Sequence, residues 1–144
     1  MKDIVMNANV TFRLAESSDL DQLADLFDQY RQYYISQPDL SAAKKWIAEN
    51  FERGRSTIFA ADDGDQLVGF TQLYPALCSV DLVDYFVLYD LFVAPSARRQ
   101  GMYISLLFLM AMDPEAEELH SLQWIHSTRR YRRFRQKYLL RNFA

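Results

Sequence analysis

Cysteine, glycine and proline are all scarce: the 144 residues include one cysteine, Cys78, and four each of glycine and proline. A single thiol cannot close an internal disulfide and has no partner for a zinc cluster. A reducing, cytoplasmic compartment is therefore the expected location. So little glycine and proline excludes collagen-like and low-complexity chains. His120 and His126 lack metal-ligand spacing, so no metal is expected. The start, Met1-Lys2-Asp3-Ile4-Val5, has no apolar core or cleavage site of a signal peptide. The most apolar stretch, Met102 to Met112, is shorter than the roughly 20 residues a bilayer span needs, so no membrane association is expected. Acid is missing from the end of the chain: no Asp or Glu follows Glu118.

What is present is apolar and aromatic. Half the residues are hydrophobic and 15% are aromatic, enough for one domain with one core. The net charge of −3 conceals a split. Residues 1–126 carry nine basic and nineteen acidic side chains, and residues 127–144 carry seven basic and none acidic. That asymmetry sets a domain over 1–126 apart from a basic helix or tail over 127–144.

Periodicity predicts the elements. Val10, Phe12 and Leu14 alternate as one face of a strand. Ser17-Ser18-Asp19 signals a helix start, and Leu20, Leu23, Leu26, Phe27, Tyr30 and Tyr34 recur at helical spacing to about Ile35. Ser41 is the expected cap of a second helix that Gly54 ends. Thr57–Ala61 and Gln66–Leu73 read as a hairpin around Asp62-Asp63-Gly64-Asp65. After a loop around 78–84, the dense run Tyr85–Val93 reads as a buried central strand. A basic turn, a helix over about 102–112 and a last strand within 119–125 complete an α/β domain, whose mixed sheet is mostly antiparallel with flanking helices.

The segment that carries chemistry is Tyr89-Asp90-Leu91-Phe92-Val93-Ala94-Pro95-Ser96-Ala97-Arg98-Arg99-Gln100-Gly101. A strand ends, the chain turns through two arginines, and a helix is expected to begin at a glycine. The first turn of a helix carries unpaired N–H groups and a partial positive charge, which suits a phosphate or pyrophosphate. The bland alternative is a solvated turn with two surface arginines.

Taken whole, the stretch resembles the signature of the GNAT superfamily of N-acetyltransferases, in which a strand ending like Leu-Phe-Val precedes Arg/Gln-x-x-Gly-x-Gly/Ala and a helix. Arg98, Gly101 and Tyr103 fall on the three defined positions, and the Asp-Leu-Phe-Val wording is most similar to the diamine acetyltransferase-like branch. The resemblance implies the GNAT fold and acetyl-CoA as co-substrate. It implies pantetheine pairing along Leu91, Phe92 and Val93. It also implies a pyrophosphate cradle formed by Arg98, Arg99, Gln100, Gly101, Met102, Tyr103 and Ile104. The acceptor would be an amine of a small molecule or peptide. Asp90 and Asp84 could attract a cationic amine or remove its proton, or be solvated only. Tyr30 or Tyr34 could border the acceptor cleft, or be core and rim. Tyr138 matches the family tyrosine that protonates the departing thiolate.

The match then thins. Tyr103 stands where glycine or alanine belongs, and Tyr131 and Phe134 where the family has asparagine and alanine before its tyrosine. Only Ala144 follows Phe143, so the last strands of the family sheet are expected to be incomplete. An unfinished edge would favour a homodimer. Trp124-Ile125-His126 can be encoded by bases that, read one position earlier, give Leu-Asp-Thr, so an out-of-frame origin for the arginine-rich run is one account of the charge split. Two rival functions remain open: an inactive remnant that binds CoA or serves as an interaction module, and a nucleic-acid contact through the basic and aromatic run 129–138.

Overall fold

The structure, a computed structural model, describes residues 4–7, 10–34, 36–80, 82–99 and 122–124. The elements are β1 (Ile4–Asn7), β2 (Val10–Leu14), α1 (Leu20–Tyr33), α2 (Leu40–Glu52), β3 (Thr57–Asp62), β4 (Leu67–Cys78), β5 (Val83–Val93) and β6 (Leu122–Trp124). They form one six-stranded sheet whose spatial order follows chain order. Neighbours from β1 to β5 are antiparallel, and β5 pairs with β6 in parallel. The expected mixed, mostly antiparallel sheet with helices against it is what forms.

Local chemistry explains most of the boundaries. A 3-10 turn at Ser17–Asp19 leads into α1, and the buried Asp19 carboxylate anchors that turn. It accepts from Glu16 N–H at 2.7 Å and from both terminal nitrogens of Arg13 at 2.6 and 2.9 Å. Arg13 reaches on to Asp62 of β3 at 2.9 Å, so one guanidinium ties β2, β3 and the start of α1. Asp39, rather than the expected Ser41, caps α2: its Oδ1 accepts from Ala42 N–H at 2.9 Å. The β3–β4 turn is held by Asp62 and Asp63, which accept from the amides of Gly64, Asp65 and Gln66. Gly64, at φ +96°, takes a conformation that a side chain would strain.

The sheet buries both faces. On one, Leu23, Leu26 and Phe27 of α1 and Ala43 and Ile47 of α2 pack on Ile58, Ala60, Phe70 and Phe92. On the other, Val10, Phe12, Phe59, Ala61, Leu73 and Leu88 cluster with Ala97.

Two further features depart from the sequence reading. β1 was not expected. The loop expected at 78–84 is shorter, because β4 runs to Cys78 and β5 starts at Val83, making a long hairpin. Pro75 sits inside β4 without conflict, because pairing with β3 stops at Leu73 and its missing donor falls on an edge. The helix expected at 102–112 lies outside the described residues. So do the basic helix or tail expected over 127–144, and His120 and His126.

Candidate active site

The site is built on β5, and a β-bulge shapes it. Asp90 pairs with Gln72 while the next β4 residue, Leu73, pairs with Leu88, so Tyr89 is an extra residue on β5. A bulge sets two successive side chains on one face of a sheet. Here Leu88 lies in the cluster away from the helices, whereas Tyr89 and Asp90 both meet Tyr74. Past the bulge the parity is reversed: Phe92 packs beneath α1, and Leu91 and Val93 pack on the opposite face. A tyrosine and a carboxylate adjacent in sequence therefore share the helix side of the sheet.

Asp90 is embedded in polar groups. Its Oδ2 accepts from Gln72 Nε2 at 2.9 Å and from Tyr74 Oη at 3.1 Å, and the Gln72 amide also donates to Tyr74 Oη. Gln72 is fully buried, and its Oε1 accepts from Ser56 Oγ at 3.1 Å, so its amide is oriented from both ends. Across from Asp90, Tyr30 of α1 donates its hydroxyl to the carbonyl of Tyr89 at 3.4 Å. Tyr30 and Tyr34 meet edge to face with centroids 5.2 Å apart, and Tyr74 and Tyr89 do so at 5.6 Å. Burial first, and then the negative charge of Asp90, push the Tyr30 and Tyr74 phenols above their ordinary value. Burial, followed by Tyr33, pushes Tyr34 the same way. The phenols therefore stay protonated and available as donors through neutral pH.

The second part of the site is the outer edge of β5. Pairing with β6 covers Phe86 to Leu88, and among the described residues no strand continues it. Ala94 N–H bonds back to Val68 of β4 at 2.8 Å. Strand amides alternate in direction, so those of Phe92 also turn toward β4, and those of Leu91 and Val93 turn outward. Of the three residues expected to pair with a pantetheine arm, Leu91 and Val93 thus present free-facing backbone, whereas Phe92 contributes a buried ring.

A 3-10 turn at Pro95–Ala97 follows the strand, and Arg99 takes a left-handed conformation at φ +68°. Arg98 folds back: its Nε donates to Val93 O at 2.9 Å and its guanidinium lies 5.6 Å from the Phe92 ring centroid. Arg98 and Arg99 are both exposed. Gln100, Gly101, Met102, Tyr103, Ile104 and Tyr138 lie outside the described residues. Among the described residues there is no cluster of three or more metal-ligating side chains, and no helix is long and apolar enough to cross a membrane.

An open strand edge with outward amides beside a basic turn is the geometry expected from the family signature, and comparison with known proteins bears on it directly. The Acetyltransferase (GNAT) family profile matches residues 20–107. The chain belongs to the GNAT family of acetyltransferases. A Bacillus subtilis (strain 168) relative, named as the uncharacterized N-acetyltransferase YhfO, is 39% identical over 92 residues, 64% of this GNAT chain and 62% of the relative. The matched part thus spans less than two thirds of that protein. A crystal structure of a probable acetyltransferase, 30% identical, superposes with a TM-score of 0.74 over 85% of this chain and 84% of its own. At 11% identity the fold still matches a predicted acetyltransferase from Clostridium acetobutylicum crystallised with acetyl-CoA, with a TM-score of 0.70 over 90% and 88% of the two chains.

The sequence singled out Asp90, Tyr30 and Tyr34, and the structure brings all three together; Asp84 is in β5, in register with Leu77. It did not single out Gln72, Tyr74 or Ser56. The available signal was a polar pair, Thr71-Gln72, within an otherwise apolar strand.

Proposed function

We propose that this GNAT chain transfers the acetyl group of acetyl-CoA to a primary amine of a small molecule or peptide. The observation that carries the reading is the outward-facing backbone of Leu91 and Val93 where β6 no longer pairs with β5. An extended, amide-bearing arm is what such an edge accepts, by the same hydrogen bonds that add a strand to a sheet. The residues present fit acetyl-CoA: Leu91 and Val93 would hold its arm, and Arg98 and Arg99 would face its phosphates together with the segment from Gln100 to Ile104.

Acetyl-CoA supplies the acetyl group as a thioester, whose carbon–sulfur bond breaks as the bond to the acceptor nitrogen forms. The protein's share is positional and electrostatic. An outward N–H on β5 would polarise the carbonyl. Asp90, placed by Gln72 and Tyr74, would hold the acceptor ammonium and take up its proton toward solvent before attack. Tyr138 is the proposed donor to the departing thiolate.

The test is titration of the full chain with acetyl-CoA, followed by a thiol-release assay across amines. Saturable heat and amine-dependent thiol release are expected; a folded sample giving neither overturns the proposal. Val93→Pro is the sharper variant, since it deletes one outward donor without removing a bond to β4. It is expected to weaken acetyl-CoA binding at least tenfold while the circular dichroism of the sheet stays unchanged.

A further inference from the structure

The wall around Asp90 is aromatic. Tyr30 comes from α1 and Tyr34 from its C-cap, Tyr74 from β4 and Tyr89 from the bulge, while Trp46 of α2 meets Tyr74. Several of these rings keep large surface in water: Tyr34, Trp46 and Tyr89 are 48%, 51% and 44% exposed. Side chains of this type normally bury more, and rings left open beside a carboxylate form a receptor for a cation with an apolar body. The carboxylate is well placed for that. It is held on one oxygen by Gln72 and Tyr74, and it sits on the same sheet face as the Tyr89 ring.

The count of charges limits the ligand. Among the described residues, Asp90 is the carboxylate whose charge acts on Tyr30, Tyr34 and Tyr74. The nearby acid of α1, Asp28, is buried and already engaged by Arg31, Gln32 and the amide of Asp39. A second ammonium on the ligand would meet no second free carboxylate at this aromatic wall among the described residues, which desolvation penalises.

The geometry points to a monocationic primary amine on an aromatic body as the acceptor of this site, its ammonium on Asp90 and its ring against Tyr89, Tyr34 and Trp46. This rests on the acetyltransferase reading for its chemistry, although the binding itself does not need turnover. Tyr89 meets Tyr74, and Tyr34 meets both Tyr30 and Tyr33, yet each keeps nearly half of its surface in water.

The test uses the full chain with acetyl-CoA and three amines: 2-phenylethylamine, 1-butylamine and 1,4-diaminobutane. The expected kcat/KM for 2-phenylethylamine exceeds those for the other two by at least tenfold. Equal values, or a preference for 1,4-diaminobutane, overturn the inference while leaving acetyl transfer intact. Tyr89→Leu, a change at a half-exposed ring, is expected to raise KM for 2-phenylethylamine about tenfold and that for 1-butylamine by no more than about twofold. An equal loss for both amines would mean a merely structural role and would overturn the assignment. If no amine is acetylated, the acetyltransferase reading fails, and calorimetric titration with 2-phenylethylammonium chloride judges the site alone. Saturable heat that weakens at least tenfold in Asp90→Asn sustains it, and no heat in the wild-type chain overturns it.

Discussion

Asp19 shows how one side chain can set both stability and its pH dependence. Its hydrogen bonds to Arg13, the largest influence, hold its carboxyl below the ordinary value of 3.8, against the opposing effect of burial. A carboxyl depressed in the folded state stabilises above its unfolded pKa and loses that contribution as pH falls through the folded value. Asp19→Ala is therefore expected to cost about 2–3 kcal/mol at pH 7, because Arg13 loses one of its two carboxylates and the Glu16 amide loses its acceptor. Urea melts of both proteins should converge as pH drops below about 4, and a constant gap down to pH 2 would refute the argument. The phenols of the site behave in the opposite sense. Tyr30, Tyr34 and Tyr74 are raised above the usual 10.0, so their contribution is complete below that pH and is lost as pH climbs past it. Absorbance titration at 295 nm should show at least three of the nine tyrosines ionising late; nine titrating together near pH 10 would exclude the burial described. Tyr30 and Tyr34 were legible in the sequence as neighbours on one helical stripe. Gln72 and Tyr74 were not, because what makes them functional is a cross-strand partner, Asp90, sixteen to eighteen residues away.

Among the elements, β5 was found almost in full from its density of aromatic and branched residues, but its bulge was invisible. A one-residue bulge leaves no composition signal in Val87-Leu88-Tyr89-Asp90; it appears only when the register with β4 is known. The consequence is testable. Deleting Tyr89 would restore a regular ladder with Leu88 still opposite Leu73 and Asp90 still opposite Gln72, so residues 83–88 keep their faces and the core is spared. What is lost is the Tyr89 ring against Tyr74 and the Tyr89 carbonyl that accepts from Tyr30. The expected result is stability within about 1 kcal/mol of the parent by chemical denaturation. A loss of about 3 kcal/mol or more, comparable to emptying a large core position, would mean that the deletion shifts the register instead. The helix boundaries were read to within a residue or two, with the cap of α2 misassigned to Ser41. Asp39 directly follows Pro38, a helix breaker, yet the same short, polar side chain that favours a turn also favours an N-cap.

On the scale of the molecule, the order of strands and the parallel return of β6 follow from one physical constraint that the sequence displays: a strand ending at Val93 and a strand near 122, joined by a connection long enough to cross over the sheet. The pairing of β5 with β6 at Phe86–Leu88 leaves the Leu91–Val93 end of the same edge without a strand partner among the described residues, with only the Val93 carbonyl engaged, by Arg98. A ligand that adds hydrogen bonds there joins the folded state and has nothing to pair with in the unfolded chain, since the outward amides exist only while β4 holds β5 straight. Its binding is therefore folding free energy. At acetyl-CoA concentrations a hundredfold above the dissociation constant the gain is about 2.7 kcal/mol, which for a chain of this size corresponds to a rise in melting temperature of about 5–10 °C. The rise should track ligand concentration logarithmically, and it should be largely lost in Val93→Pro while the melting temperature of the free protein barely moves. A shift that survives in full would place the bound molecule elsewhere on the chain, because among the described residues Val93 and Leu91 supply the outward donors of this stretch of edge and a single remaining donor would hold the arm more weakly.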